Sequence, residues 1–422
     1  MDLRENFYEL EQHFPGFQEV LIQALFALVG MEHLLWYSLP GRAKSMVARA
    51  IFGMFDGAKV LTTQLTKDMM PDDVFGDVIA NELINSGRRI INLEGGIAAV
   101  EFAYLDEFMD AGDYLLRSML NVLNEREYHG SKDMASVSAP LHTAIATTNF
   151  MRQREATEAV LDRLLCKAEL AGIEELTDCM RAGQTYLGYS GKMLQLPHKL
   201  PYEGLKQLSD QVMAPLEEGG VLISPGMRLL HVVLVQEFQR LRHESAVANW
   251  HQANPDAAEE PSEEEVSVPE VTPRTLVKLH DMSRAAAVLN ERDEVVPEDN
   301  RALGYGIYVV GDKSGDDELW HDLCDTFLKF NSKQRQSLEE LGEIADNVGQ
   351  IKAECSEVTN LQLHLGGQAI QFADLGKRKL ADRLRNVDHP VLDIAKKRLD
   401  DEISELTSQS GHCKFDLLKG WS

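Results

Sequence analysis

Residues 34–52 read LLWYSLPGRAKSMVARAIF. The apolar run from His33 to Ser38 stops at Pro40-Gly41, as a buried strand stops at a turn. SMVARAIF then resumes apolar residues at helical spacing. The stretch therefore predicts strand, loop and helix. Its loop carries Lys44-Ser45, the pair that closes a phosphate-binding loop. Such a loop wraps backbone N–H groups round an anion at a helix N-terminus. Its lysine reaches the terminal phosphates and its hydroxyl holds magnesium. The pattern G-x-x-x-x-G-K-[ST] is not met, because Ser38 and Ala43 stand at its two glycine positions. Alanine at 43 costs little if that residue is already helical, and Ser38 matters only if its backbone needs a positive φ. Taken alone, the stretch reads equally well as an ordinary strand–helix turn.

Working outward, EFAYLDEF (Glu101 to Phe108) is a second apolar run and ends in two acids, and HTAIATTNF (His142 to Phe150) is a third. Strands alternating with helices predict a mainly parallel sheet in an α/β layer fold. Upstream, residues 5–30 have helical spacing broken at Pro15-Gly16. Beyond about residue 170 strand signals fade. LKQLSDQVMAPL and MRLLHVVLVQEFQRLRHESAVANW read as helices. Residues 251–270, HQANPDAAEEPSEEEVSVPE, read as a mobile acidic loop. A helix returns at VTPRTLVKLHDMSRAAAVLNER, where Thr272 caps and Pro273 fits the first turn. Leu341, Ile344, Val348, Ile351, Cys355 and Val358 then form a short heptad stripe. Gly366-Gly367 breaks it, and Leu392, Leu399, Ile403 and Leu406 follow Pro390 in similar register. That pattern predicts a helical hairpin or three-helix arm, either packed on the main body or free to bind a partner.

The chain has 422 residues, 44% hydrophobic and 26% charged, and a formal net charge of −26. The length suits two or three domains, and the composition suits a soluble globular protein. So acidic a surface argues against nucleic-acid binding, which needs a basic footprint. Cys166, Cys179, Cys324, Cys355 and Cys413 form no C-x-x-C and are odd in number, which reads as free thiols in a reducing cytoplasm. MDLRENFYELEQHF mixes acids and bases where an export signal would have a basic start and an apolar run. VLIQALFALVG (Val20 to Gly30) is too short to span a bilayer.

Four further residue groups carry possible chemistry. Asp106-Glu107, at the end of an apolar strand, places an aspartate beside a metal and a glutamate where it can deprotonate a water. The bland alternative is a solvated strand end. Asn149 closes the ATTN cluster and offers an amide to hold that water, or else a helix cap. Arg163, beside Asp162, is either an ion-pair partner or a finger reaching a neighbouring subunit's phosphate. Arg274 begins the helix after Thr272.

The order of these elements resembles the MoxR family of AAA+ ATPases, especially its RavA-like branch. SLPGRAKS is similar to that branch's G-P-P-G-x-A-K-S loop at Pro40, Gly41, Ala43, Lys44 and Ser45, so Ser38 is the departure. AYLDEFMDAGDYLLRSMLNVLNERE (Ala103 to Glu127) resembles the family's second motif with its LNER segment. VFG at 74–76 and LEGGI at 93–97 resemble the flanks of the family's inserted hairpin. TTN at 147–149 looks like sensor 1, LDRLL at 161–165 like the arginine-finger helix, and residues 271–300 like the lid, with Arg274 as sensor 2. The resemblance covers residues 5–310 and says nothing of 311–422.

The resemblance implies an α/β AAA+ P-loop core over residues 1–195 and a helical lid over 196–310, and the heptad stripes predict a helical, coiled-coil C-terminal region over 311–422. It implies ATP and magnesium as cofactors. Pro40, Gly41, Arg42, Ala43, Lys44, Ser45, Met46 and Arg274 would contact nucleotide. Ser45 and Asp106 would hold magnesium. Glu107, Asn149 and Arg163 would be catalytic, Arg163 in trans within a ring, by resemblance a hexamer. Partners with a von Willebrand factor A domain and a chaperone-like remodelling role are implied in the same way. The insertion around Asp77 to Gly95 would grip substrate. A slow ATP-gated scaffold that recruits its partner through the C-terminal helices, and a nucleic-acid motor, are the other two classes open to such a chain.

Overall fold

The computed structural model describes residues 3–87, 90–129, 136–151, 159–170, 176–189, 199–255, 261, 262, 266, 268, 270–307, 313–357 and 387–419. The central sheet has five parallel strands. These are β1 (Leu34–Tyr37), β2 (Val60–Gln64), β3 (Phe102–Asp106), β4 (Thr143–Thr148) and β5 (Cys166–Glu169), in spatial order β2-β3-β4-β1-β5. Leu34 lies opposite Ile145 on one side and Cys166 on the other, and Gln64 lies opposite Asp106. The three central strands are those the apolar runs predicted. The two edge strands were not predicted. VLTTQ has two apolar residues followed by three polar ones and is half exposed, and CKAE is short and charged.

Alternation along the strands sorts residues to two faces. Leu35, Ala103, Leu105, Ala144 and Ala146 share one core with Leu115, Leu116, Met119, Val122 and Leu123 of helix Asp113–Glu125. On the other face, Phe102 stacks on Phe52 of helix Lys44–Gly53, with ring centroids 4.7 Å apart. Small alanines at the sheet centre let the helices approach closely, and buried apolar area of this kind drives the layers together.

Between β2 and β3 an inserted segment returns on itself. Val78 and Ile91 form an antiparallel bridge, and Ile79 N donates to Ile90 O at 2.8 Å. Gly76 has φ +127°, and a Cβ there would lie 1.9 Å from Asn92 O, so glycine is needed where the two arms of the insertion meet. Leu83 and Ile84, on the short helix Ala80–Ser86, are exposed.

By contacts the chain divides into two compact units. The first is residues 1–221, 272–292 and 302–316, and the second is 222–271, 293–301 and 317–422. In the first, helix Pro273–Leu289 begins with Thr272, whose Oγ1 accepts from Thr275 N at 3.2 Å, and with Pro273 in its first turn, as the sequence predicts. In the second, helices Pro225–Ala253, Ser332–Glu357 and Pro390–Lys419 pack together. Glu339 accepts from Ser224 Oγ at 2.5 Å and Gly226 N at 3.0 Å, and Arg398 donates to Glu237 at 2.6 Å. Leu341, Val348, Leu392, Leu399 and Ile403 of the predicted stripes are buried there. Val358 and Gly366-Gly367 lie outside the described residues, as does most of the acidic segment after Pro255. Among the described residues Cys166 and Cys324 are free, buried thiols, and no helix is long and apolar enough to cross a membrane.

Candidate active site

In a parallel sheet every strand delivers its following loop to the same edge. The residues after β1, β3 and β4 therefore converge, beside the position where the chain order switches around β1. Lys44, at the start of the helix after β1, is buried. Its Nζ donates to Ser38 O and Thr148 O, each at 3.0 Å, and to Asn149 Oδ1. Asn149 Nδ2 in turn donates to Glu107 Oε1 at 2.5 Å. Glu107 N donates to Asp106 Oδ1 at 3.1 Å, and Thr147 Oγ1 donates to the same oxygen at 2.6 Å. Ser45 Oγ accepts from the Tyr104 hydroxyl at 2.9 Å.

The electrostatics follow from this crowding. Burial pulls the Lys44 ammonium below its usual pKa, and Glu107 and Asp106 oppose that fall. Burial raises Glu107, the Asp106 charge adds to the rise, and Lys44 and Asn149 oppose it. Burial pushes the Tyr104 phenol up to about 12, so it stays protonated. A raised carboxylate within hydrogen-bond reach of an amide is suited to general-base work.

The loop differs from expectation at one residue. Ala43 is not helical. It caps the helix with φ 54° and ψ 13°, the left-handed region, where a Cβ costs about 1–2 kcal/mol. Ser38 is absent from the positive-φ residues and continues β1, its N donating to Thr148 O at 3.1 Å. So the strain sits at the second glycine position, and the first takes serine without backbone strain. Gly41 has φ +83°, and a Cβ there would meet nothing within 4 Å, which leaves room beside the loop for an anion. Pro40 and Met46 are exposed at its rim, and Arg42 and Ala43 are half-buried. The oxygens at hand, one hydroxyl and one carboxylate, are hard donors that fit magnesium.

Arg163 and Arg274 stand elsewhere. Arg274 Nη1 donates to Asp162 Oδ2 at 2.7 Å, and Thr272 Oγ1 donates to Asp162 Oδ1 at 2.9 Å. Burial would raise Asp162, but these bonds outweigh it and hold the carboxyl low. Arg163 donates to Ala159 O. Burial and the neighbouring Arg274 charge both lower its pKa. Asp162 and Arg163 form a turn ahead of β5, whose first residue pairs with Leu34, and Cys166 N donates to His33 O at 3.1 Å. One turn along Arg274's helix, Lys278 reaches Glu32, just before β1, at 2.7 Å. Both arginines thus lie at the N-terminal edge of the sheet, the edge opposite Lys44. The sequence reading gives Tyr104 no role and places Thr147 only within the TTN segment at 147–149; the signal available is a phenol in an otherwise apolar strand and a second hydroxyl in ATTN.

A five-stranded parallel sheet in this order, with a phosphate-loop helix after β1 and an acidic pair closing β3, defines the AAA+ class of P-loop protein. Residues 1–207 match the family described as the MoxR domain in the MoxR-vWA-beta-propeller ternary systems. Those residues form a MoxR domain of the AAA+ class. The chain is 28% identical over 181 residues to the uncharacterized protein MJ0079 of Methanocaldococcus jannaschii, covering 42% of this chain and 47% of that protein. It is 29% identical over 165 residues to MJ0812 of the same organism, covering 39% and 43%. The match thus spans less than half the length of either relative. A crystal structure from Cytophaga hutchinsonii, of a protein whose ATPase role is itself a proposal, shares the fold. Its TM-score is 0.54 at 19% identity, covering 78% of this chain and 94% of that one.

Proposed function

We propose that this chain binds ATP with magnesium and hydrolyses it at the subunit interfaces of a ring, using the cycle to remodel a partner protein. The observation that carries the reading is the meeting of Lys44, Asp106, Glu107 and Asn149 at one sheet edge beside an open loop. Lys44 would turn from its carbonyl acceptors to the β- and γ-phosphates, while Ser45 and Asp106 hold magnesium. A bound magnesium ion supplies charge neutralisation on the phosphates. Glu107 takes the proton of the attacking water, and Asn149 aligns that water and holds Glu107 by its amide.

Arg274 is bonded to Asp162, and Arg163 lies beside it in the field of both Asp162 and Glu125, at the edge away from their own loop. This supports a role in trans, with both arginines serving the site of the next subunit, and a ring follows from that; a hexamer is the form we propose. Residues 196–310 act as the lid that moves with nucleotide state, and 311–422 as a helical region beyond it. The exposed Leu83 and Ile84 on the insertion are suited to gripping a protein substrate. The family's description supports a partner with a von Willebrand factor A domain, in a system that also contains a β-propeller.

Two variants test the chemistry. Lys44→Ala should abolish ATP binding in calorimetry, since it removes the cation at the phosphates. Glu107→Gln should bind ATP and release no phosphate, since it keeps shape and loses the base. Tight ATP binding by Lys44→Ala would sink the assignment.

A further inference from the structure

Up to its closing Asp106, strand β3 is apolar except for the Tyr104 hydroxyl. Phe102 and Tyr104 both face the phosphate-loop helix, and Phe102 fills that face by stacking on Phe52. Tyr104 is only 1% exposed, so its hydroxyl is carried into the interior between helix and sheet. Packing alone gives no reason for it; phenylalanine would fill the same space without a polar atom to satisfy. The hydroxyl donates to Ser45 Oγ at 2.9 Å and lies 3.2 Å from Thr147 Oγ1. Thr147 donates to Asp106 Oδ1 at 2.6 Å. Tyr104 from β3 and Thr147 from β4 each have one proton and spend it outward, on Ser45 and on Asp106, so the two hydroxyls meet each other by packing contact and not by a further hydrogen bond.

The acceptors of these two bonds are the two side chains assigned to magnesium. Magnesium demands near-ideal octahedral geometry, so the rotamers of its ligands must be held. A serine hydroxyl has two lone pairs and one proton, and accepting from Tyr104 uses one lone pair. The other lone pair stays available to a metal. At Asp106 both neighbouring donors, Thr147 and Glu107 N, fall on Oδ1, which reserves Oδ2 for the metal or its water.

We propose that Tyr104 is a positioning residue which, with Thr147, locks Ser45 and Asp106 in register with each other and so sets the magnesium affinity of the nucleotide complex. The proposal rests on the reading of Ser45 and Asp106 as magnesium ligands. The groups that orient metal ligands typically change metal affinity by about 10–100-fold when removed.

The test measures ADP binding to the full chain by calorimetry, first in EDTA and then over a magnesium series. Tyr104→Phe should keep its metal-free ADP affinity and need roughly tenfold more magnesium for half the metal-dependent gain. Thr147→Val should shift the magnesium midpoint in the same direction, and Thr147→Ser should restore it. The double variant Tyr104→Phe/Thr147→Val should need more magnesium than either parent, because each bond holds a different ligand. A merely structural tyrosine would lower metal-free binding and magnesium response together; then the Thr147 pair decides, and equal midpoints for Val and Ser overturn the proposal. A wild type that responds to magnesium while Tyr104→Phe stays within about twofold of it also overturns the proposal, leaving the metal-site reading intact. A wild type whose ADP binding ignores magnesium overturns that reading, and the proposal with it.

Discussion

The C-terminal edge of the sheet holds Lys44, Asp106, Glu107 and Asn149; the N-terminal edge holds Glu32, Lys278, Arg126, Asp281, His33 and His142. Both edges crowd charged groups together and both perturb their titration. At the N-terminal edge burial raises Glu32, lifts Asp281 to about 6, lowers His142 to about 4 and holds His33 well below its usual value. Yet these groups spend their hydrogen bonds on tying elements together. Arg126 donates to Leu141 O at 3.0 Å and to Met31 O, His142 Nε2 lies 2.8 Å from Leu28 O, and Lys278 bonds Glu32. At the C-terminal edge Lys44 is buried and Asp106, Glu107 and Asn149 are half-buried, and the group borders the open loop at Gly41. Perturbed titration alone therefore does not mark a site. Access and a place for a ligand do.

The largest expected effect tests the exception to this contrast, the arginines that lie at the N-terminal edge but are assigned to chemistry. Arg163→Ala should leave ATP binding nearly intact and lower hydrolysis by on the order of 10³-fold or more. Mixed with Glu107→Gln subunits, it should regain some phosphate release, because a Glu107→Gln subunit lends its Arg163 to a neighbour with an intact Glu107. If Arg163 only stabilises its own turn, the variant will lose thermal stability and mixing will restore nothing at any concentration.

Much of the first edge was legible in the sequence, because its residues follow strands whose apolar runs are long and fully buried. The second edge was not. Glu32 and Lys278 are 246 residues apart and meet only because helix Pro273–Leu289 packs beside the helix before β1. Arg126 lies in the LNER segment, quoted above only for its resemblance. In the structure it leaves the helix with φ 52° and turns its guanidinium onto main-chain carbonyls. Strands β2 and β5 escaped because edge strands bury too little for an apolar run to form. The left-handed Ala43 escaped because a backbone angle leaves no mark in a single alanine.

A second prediction addresses the buried edge. Lys278→Met keeps the stem and removes the charge, leaving Glu32 unpaired at 7% side-chain exposure. Breaking such a pair costs about 3–5 kcal/mol, read as a lower denaturant midpoint. Glu32 already has a raised folded-state pKa, and losing Lys278 raises it further. Its ionised form is then what the folded state disfavours, so the deficit should be full at pH 7.5 and shrink as pH falls and Glu32 takes up a proton. Glu32→Gln/Lys278→Met should recover most of the loss. A deficit that grows toward acid pH would contradict the assignment.

A third, smaller effect concerns the base. Glu107 must be ionised to accept a proton, and its pKa lies above the ordinary 4.5. The acid limb of the single-turnover pH–rate profile should therefore lie above that value. Asn149 holds Glu107 down by its hydrogen bond, so Asn149→Ser should move the limb to higher pH as well as slow the plateau. A limb that stays in place while the plateau falls would mean that Asn149 acts on the water alone.

The smallest effect separates the two departures from the phosphate-loop pattern. Ala43 occupies the left-handed region, so Ala43→Gly relieves about 1–2 kcal/mol of backbone strain. It also loosens the unfolded chain, which costs about 0.4–1 kcal/mol. The net should be a gain of about 0.5–1 kcal/mol. Ser38 is buried and continues the strand, with no positive φ, and its hydroxyl donates to Leu39 O at 3.1 Å. Ser38→Gly relieves no strain, loses that bond and loosens the unfolded chain, so it should destabilise by about 1 kcal/mol. Its ATP affinity should change by less than about tenfold, since Lys44 takes only the main-chain oxygen of residue 38. Chemical denaturation of the two variants should thus move in opposite directions although both restore the same consensus residue. If Ser38→Gly proved the more stable of the two, the strain would lie at the first glycine position, and the reading of Ala43 as the strained residue would fall.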